Sequence, residues 1–367
     1  MKNQEQEREC GLDVLRSVSM LMVISIHVIG HGGLRDAYLT GSVGDWIASL
    51  AEIAVYPAVD CFVLLSGYLL SALPFKLVRI ARSWLSALFW SVVLQSAFFL
   101  WYPDTISPGT MLCMFLPVLG ERYWFLNAYI AMILVSPVLN RLLRDMPRWQ
   151  MKGLLLALMA VFCVSPVFAL GNDVFKTQNG YSFPWFIVMY LCGGYVRRYC
   201  RKSEKIGLPL MGYLLFVTGH LVWIGTTEAV VPHIGISGLF MKYTSVPVFG
   251  SALCLLQFFR SVQYSTKNNL AQLTRRISPL AFGVYLIHDH PLVRESFIKG
   301  KFTAVGDIFW VNGILLTTGC ILSIYVLCVF MEWLRTKLFK ICGIDRALTR
   351  LCESITENIK LILKGDL

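Results

Sequence analysis

The sequence predicts an all-α integral membrane protein, a bundle of about ten transmembrane helices with both termini in the cytoplasm. Of its 367 residues, 56% are hydrophobic and only 15% are charged, and the mean hydropathy is +0.62. Soluble domains carry about 25% charged residues, so the composition excludes an ordinary soluble protein. Windows of about 19 residues identify ten apolar segments as spans: 12–30, 46–73, 83–101, 124–140, 153–170, 184–196, 208–226, 237–259, 277–293 and 305–333.

The distribution of lysine and arginine predicts the orientation of these spans. Most of the 33 basic residues fall in alternate loops, which is the pattern of cytoplasmic segments in membrane proteins. We therefore expect an even number of spans with both termini inside. The net charge of +11 is divided among short loops, so it indicates topology, and nucleic-acid binding is not expected.

The spans leave room for one membrane domain, 1–334, and a cytoplasmic tail, 335–367. Apolar residues of the tail fall on one helical stripe, with lysines and arginines opposite. The stripe consists of Ile344, Leu348, Leu351, Ile355, Ile359 and Ile362. This pattern predicts an amphipathic helix that lies on membrane lipid, and a helix that binds a protein partner is the weaker option.

Two side chains on the first predicted span form the leading candidate for a functional pair. Arg16 and His27 are eleven residues apart, which is about 1100° of helical rotation, or three turns plus roughly 20°. Both side chains therefore project from one face, roughly 16 Å apart in depth. Ionisable groups inside a membrane are costly and by default functional. The alternative is a boundary arginine beside a packed polar histidine, and the spacing alone leaves both open.

Two further ionisable residues fall inside predicted spans. His288 lies twelve residues after Arg276, so its imidazole is expected at a depth similar to that of His27 and able to meet it. Asp60 falls in the middle of the second span, where an unpaired carboxylate is strongly disfavoured. It either orients His27, as acidic residues orient catalytic imidazoles, or clamps an arginine or helix N–H groups.

A basic loop follows the second predicted span. Lys76, Arg79 and Arg82 recur every three residues, and arginines bind phosphate through charge-assisted, often bidentate hydrogen bonds. A phosphate-rich cytoplasmic donor would suit this loop, although the positive-inside bias alone also explains it. Just before the loop, Ser66 and Gly67 indicate either close helix packing or local unwinding that exposes backbone donors to a ligand.

Five segments follow one another in a characteristic order. They are LDVLRSVSMLMVISIH, VDCFVLLSGYLL, KLVRIARSWLSALFWS, WFLNAYI and FGVYLIH. In this order they resemble the acyltransferase-3 family of integral-membrane acyltransferases, over about residues 11–290. The resemblance implies ten spans in the bacterial inner membrane. It also implies transfer of an acyl group, usually acetyl, from cytoplasmic acetyl-CoA to an extracytoplasmic glycan or lipid-linked sugar.

The resemblance and the residues together imply a set of roles. His27 would be the catalytic residue, as general base or as transient acyl carrier, with Arg16, Asp60 and His288 beside it. Acetyl-CoA would be a co-substrate, and no metal is expected. The residues expected to bind this donor are Arg16, Ser66, Lys76, Arg79, Arg82, Trp124 and Tyr129.

A different class of function also fits the ten spans. Midplane ionisable residues are typical of transporters, so a transporter or flippase for a glycan precursor, without acyl transfer, is the alternative. Against it, no paired half-repeats with matching helix breaks are evident in the sequence. The sequence makes no prediction about the acceptor's identity or the oligomeric state.

Overall fold

The computed structural model describes residues 9–102, 108–118, 120, 122–230, 236–262 and 269–364, and no strand occurs among them. The all-α fold class is therefore confirmed for this part of the chain. The α-helices are α1 Cys10–Ile29, α2 Val43–Val55, α3 Ala58–Leu70, α4 Leu77–Trp101, α5 Pro108–Cys113, α6 Trp124–Asp145, α7 Arg148–Met159, α8 Ser165–Phe168, α9 Phe183–Tyr199, α10 Gly207–Val230, α11 Val246–Ser261, α12 Asn269–Ile277, α13 Ala281–His288, α14 Pro291–Val293, α15 Trp310–Ile341 and α16 Ile344–Lys364. A π-helical turn, Ala160–Val164, lies between α7 and α8, and a second one, Arg294–Ile298, follows α14.

Each of the ten predicted spans coincides with helical structure, but the helices differ in length. Within the described ranges, seven stretches are long and apolar enough to cross a membrane by length and composition. The remaining three predicted spans fall on α9, α11 and α13, which have 17, 16 and 8 residues. A full crossing of about 30 Å needs about 20 helical residues. The count of ten crossings and the side of each terminus therefore remain predictions.

Close packing between α3 and α9 forms the centre of the bundle. A Cβ atom added to Gly67 would overlap the carbonyl oxygen of Tyr190, and one added to Gly193 would overlap that of Leu64. Glycine at both positions therefore lets the two backbones approach. α3 stays helical through Leu70, so close packing, rather than local unwinding, is the role of Gly67.

Helix α1 occupies a central position, because it contacts α3, α11, α12, α13 and α15. Its polar face is therefore turned toward other helices rather than toward the outside of the bundle. The exposed apolar side chains lie instead on the outer helices. On α15, for example, they include Leu315, Val326 and Leu327. This division places the ionisable side chains of α1 inside the protein.

The C-terminal segment forms a helix of its own, α16, which begins at Ile344. Helix α15 continues through the predicted boundary at residue 334 and ends at Ile341. Gly343, with φ of 69°, forms the turn into α16. Helix α16 packs against the start of α4, where Arg82 lies 3.7 Å from Asp345 and donates to Thr349. Residues 1–8 and 365–367 of the two predicted domains lie outside the described ranges.

The glycine contact between α3 and α9 predicts a stability difference between two substitutions. Gly67→Ala should lower the free energy of unfolding by about 1–3 kcal/mol, because the helices must move apart to accept the methyl group. Gly153→Ala is the matched control, since a Cβ atom at Gly153 on α7 meets no atom within 4 Å. Thermal unfolding of both purified variants in detergent measures the difference. Equal melting temperatures would contradict the packing role of Gly67.

Candidate active site

A cavity of about 630 Å³ runs through the helix bundle and is lined by polar side chains at its two extremities. We call one extremity the basic end, formed by Arg16, Arg82 and Arg335. The other is the histidine end, formed by His27, His31, Asp289 and Arg294. Apolar and aromatic side chains line the stretch between the two ends. The cavity therefore joins a cationic region to a region of imidazoles.

Helix α1 supplies one wall of this cavity from end to end. Arg16, Met20, Val23 and His27 all line it. Their spacings of four, three and four residues keep the side chains on one helical face. The predicted shared face of Arg16 and His27 is therefore present, with the two residues roughly 16 Å apart along the helix.

The two imidazoles that were expected to meet are neighbours. The ring centroids of His27 and His288 lie 5.1 Å apart, and the ring of His31 lies 5.4 Å from that of His27 on the other side. Nδ1 of His288 lies 2.7 Å from the carbonyl oxygen of Val284, one helical turn earlier. A carbonyl only accepts, so Nδ1 of His288 carries a proton and donates it. This bond fixes the orientation of the His288 ring beside His27.

The acidic side chain next to His27 is Asp289, which the sequence did not identify. Its Oδ1 lies 3.7 Å from Nδ1 of His27 and accepts a 2.9 Å hydrogen bond from Arg294. The side chain of Asp289 is only 2% exposed. Both Asp289 and Arg294 line the cavity. The histidine end therefore contains an ion pair between a buried carboxylate and a half-buried arginine, within 4 Å of the candidate catalytic imidazole.

A helix break explains why Asp289 reaches this position. Helix α13 ends at His288, because proline at 291 cannot continue a helix and disfavours helical geometry in the residue before it. His290 is accordingly extended, and its ring accepts from the backbone N–H of Leu292 to start the next turn. The π-turn that follows begins at Arg294 and brings its side chain back over Asp289. Pro291 was the signal that sequence reasoning overlooked.

No hydrogen bond or ion pair joins Asp60 to His27 among the described residues, so the expectation that Asp60 orients this imidazole is not supported. Asp60 is fully buried in the first turn of α3, where the helix dipole favours a carboxylate. Its Oδ1 accepts a 2.9 Å hydrogen bond from Nε1 of Trp185 on α9. Asp60 therefore joins α3 to α9. This is a structural clamp, as in the second alternative from the sequence, but its donor is a tryptophan rather than an arginine or a helix N–H group.

At the basic end, each arginine has an acidic partner. Arg16 lies 3.5 Å from Asp13, as the spacing of three residues predicted. Arg335 is bound by Glu332, and Arg82 lies 3.7 Å from Asp345. The side chain of Arg16 is 27% exposed, that of Arg335 is 9% exposed and that of Arg82 is 54% exposed. Arg82 is therefore the most accessible of the three cations.

Sequence reasoning also missed the buried ion pair on α15. Glu332 accepts two hydrogen bonds from Arg335, of 2.8 and 2.6 Å, and a third of 2.7 Å from Nε1 of Trp90 on α4. The ring of Phe339 lies under the guanidinium. A lone glutamate in an apolar span, three residues before an arginine, was the available signal.

The residues expected to bind a donor divide into two groups. Ser66, Trp124 and Tyr129 line the cavity together with Arg16 and Arg82. Lys76 and Arg79 do not line it. Arg79 donates instead to the carbonyl of Pro74, and Lys76 is exposed to solvent. Only part of the basic loop therefore faces the cavity.

Aromatic rings form the cavity wall near the histidine end. The ring centroid of Tyr181 lies 4.5 Å from that of Trp124 and 4.8 Å from that of Tyr243. Tyr181 belongs to the loop between α8 and α9, which Asp173 holds together by accepting hydrogen bonds from Thr177 and Asn179.

The charge of Asp173 maintains this loop. Partial burial alone would raise the pKa of the Asp173 carboxyl, but hydrogen bonds from Thr177, Gln178 and Asn179 lower it below its usual value. The carboxylate therefore stays charged at neutral pH and continues to accept these bonds. The loop in turn fixes the position of Tyr181 at the cavity wall.

Comparison with known proteins identifies the family. The family model of the acyltransferase-3 family, described as an acyltransferase domain, matches residues 11–333 of the chain. No curated protein and no solved structure matches it. The match includes α1 from Gly11 onward, α2 to α14 and most of α15. It therefore contains the whole histidine end of the cavity and, at the basic end, Arg16 and Arg82 but not Arg335. The chain belongs to the acyltransferase-3 family and is a membrane acyltransferase.

Proposed function

We propose that the protein moves an acyl group, specifically acetyl, from cytoplasmic acetyl-CoA to a hydroxyl group of an extracytoplasmic glycan or lipid-linked sugar. The observation that carries the proposal is the single cavity that contains both the basic end and His27. A donor that binds the arginines and an acceptor that enters at the histidine end would meet at one imidazole. A transporter of glycan precursors is not favoured, because the chain belongs to an acyltransferase family.

The distribution of basic residues supports the direction of transfer. Arg16 and Arg82 belong to segments that the positive-inside rule assigns to the cytoplasm. The basic end would then face the cytoplasm, where acetyl-CoA is made. The histidine end would face the opposite side, where surface glycans are assembled. The bacterial inner membrane is the location that this arrangement suits.

Arg82 is the best candidate for the phosphate-binding group. It lines the cavity, it is more than half exposed, and its nearest acidic partner lies 3.7 Å away. An exposed ion pair of that length contributes at most about 1 kcal/mol, so a phosphate competes with it easily. Arg335, in contrast, is bound by Glu332 through two short hydrogen bonds. Arg335 would shape the passage through which the arm of CoA extends.

The aromatic wall suits a sugar acceptor. Trp124, Tyr181 and Tyr243 present flat apolar faces with polar atoms at their rims. A pyranose ring has the same combination, with apolar C–H faces and hydroxyl groups at its edge. Stacking on this wall would place a hydroxyl group near His27.

His27 would then act as a general base on the acceptor hydroxyl. The hydroxyl proton passes to the imidazole as the oxygen attacks the thioester carbonyl carbon. The C–S bond breaks, and the imidazolium returns the proton to the departing thiolate of CoA. Because donor and acceptor share one cavity, this direct route needs no acyl-imidazole intermediate. His288 would support His27 by limiting the rotation of its ring.

Replacement of His27 tests the catalytic role. His27→Ala should lower acetyl transfer at least about 100-fold, since a positioned base contributes about 10² to 10⁴ in rate. Binding of acetyl-CoA to the purified variant should persist, because the arginines of the basic end are unchanged. Transfer is measured with radiolabelled acetyl-CoA and membrane vesicles from cells that make the acceptor.

The matched control for this test is His220→Gln. His220 is a buried histidine of α10 that packs against Phe240 and does not line the cavity. Transfer should stay near the wild-type rate in the control. Normal transfer by His27→Ala would contradict the assignment of His27 as the base.

Charge removal in the basic loop tests the donor site. Arg82→Gln should weaken acetyl-CoA binding about tenfold, which corresponds to about 1.4 kcal/mol and suits the loss of one charged hydrogen bond. Lys76→Gln removes the same charge from the residue just before α4, which does not line the cavity, so it should leave the Kd nearly unchanged. Isothermal titration of the purified variants gives both values. Equal weakening by the two substitutions would show that Arg82 attracts the donor only through the general charge of the loop.

A further inference from the structure

Asp289 is a buried carboxylate whose position beside His27 demands an explanation. Its side chain is 2% exposed, and Oδ1 lies 3.7 Å from Nδ1 of His27. That nitrogen of His27 is itself buried and has no hydrogen-bond partner among the described residues. A buried polar atom without a partner is costly. The carboxylate is therefore aimed at an atom that lacks a partner.

The 3.7 Å between Nδ1 of His27 and Oδ1 of Asp289 is only slightly longer than a hydrogen bond. An imidazole N–H donates to a carboxylate at about 2.7 to 2.9 Å, so a modest rotation of the His27 ring closes the gap. Catalytic hydrogen bonds are often long in unliganded enzymes and shorten in the substrate complex. The 3.7 Å separation is therefore compatible with an acid–imidazole pair whose hydrogen bond shortens when substrate binds.

Arg294 keeps the carboxylate in place. It donates a 2.9 Å hydrogen bond to the same oxygen of Asp289, and the π-turn that begins at Arg294 sets the direction of its side chain. π-turns are rare and occur frequently at functional sites. The arginine also compensates the burial of a negative charge, which would otherwise be strongly unfavourable.

No other acidic group in the described structure competes for this role. The groups that face His27 are the imidazoles of His31 and His288, the carboxylate of Asp289, and Arg294 behind it. His288 uses its Nδ1 proton on a backbone carbonyl, so it does not orient His27 through that atom. Among the described residues, Asp289 is thus the one carboxylate within 4 Å of a ring nitrogen of His27.

We propose that Asp289, held by Arg294, is a positioning residue for His27. The proposal rests on the proposed function, in which His27 is the base. By accepting the Nδ1 proton of His27, the carboxylate fixes the tautomer in which Nε2 is the basic nitrogen. Nε2 then takes the acceptor's hydroxyl proton and later returns it to the thiolate of CoA, while Asp289 itself exchanges no proton.

The test compares Asp289→Asn with Asp289→Glu in the vesicle assay with radiolabelled acetyl-CoA. Asp289→Asn should lower kcat about 100-fold and leave the KM for acetyl-CoA within about twofold, because only the reacting imidazole is affected. Asp289→Glu keeps the carboxylate and should recover about tenfold of that loss. Asp36→Asn removes an exposed carboxylate from the loop after α1 and should have no effect. Binding of acetyl-CoA by purified Asp289→Asn checks that the variant is folded.

A double variant separates positioning from charge compensation. If Asp289 served only to pair with Arg294, adding Arg294→Gln to Asp289→Asn would restore turnover. We expect the double variant to remain as slow as Asp289→Asn, and recovery would overturn the proposal. The proposal would also be overturned if Asp289→Asn turned over as fast as the wild type in an assay in which the wild type is active. Wild-type vesicles that transfer no acetyl group would instead overturn the proposed function.

Discussion

The cost of placing charge inside a bilayer governs this protein. An ionised side chain in hydrocarbon costs several kcal/mol or more. In the described structure, two acidic side chains inside the bundle form ion pairs with arginines, which lowers this cost. Glu332 is paired with Arg335, and Asp289 with Arg294. These ion pairs line the cavity, so the charge that the membrane excludes is concentrated at the candidate site. The same constraint that threatens stability therefore defines the candidate site.

Helix packing decides the shape of that site. The glycines of α3 and α9 bring two backbones together, and the hydrogen bond from Trp185 to Asp60 joins the same helices. Helix α1, which carries His27, packs against α3 of this pair. A base is effective only when it is held within a fraction of an ångström of its productive position. The buried core thus contributes to chemistry that occurs beside it.

Much of the fold could be predicted from the sequence, because apolar segments and basic loops are local signals. The shared face of Arg16 and His27, and the meeting of His27 with His288, followed from helical geometry alone. Asp289 did not, because the ninth span was treated as helical through residue 293, whereas α13 ends at His288. Contacts that depend on a chain reversal, or on two helices distant in sequence, leave no local pattern.

The two ends of the cavity differ in a way that bears on the route of the acyl group. The arginines of the basic end suit phosphates, whereas the histidine end combines imidazoles with an aromatic wall. In CoA the thioester lies at the end of a long flexible arm, far from the phosphates. If the proposed CoA donor binds at Arg82, its reactive carbon would reach toward His27 while the phosphates stay at the basic end. In the proposed reaction, direct attack by an acceptor hydroxyl would require only one imidazole, with Nε2 as the base. The acyl group would then pass the membrane's midplane within the cavity as part of the bound donor.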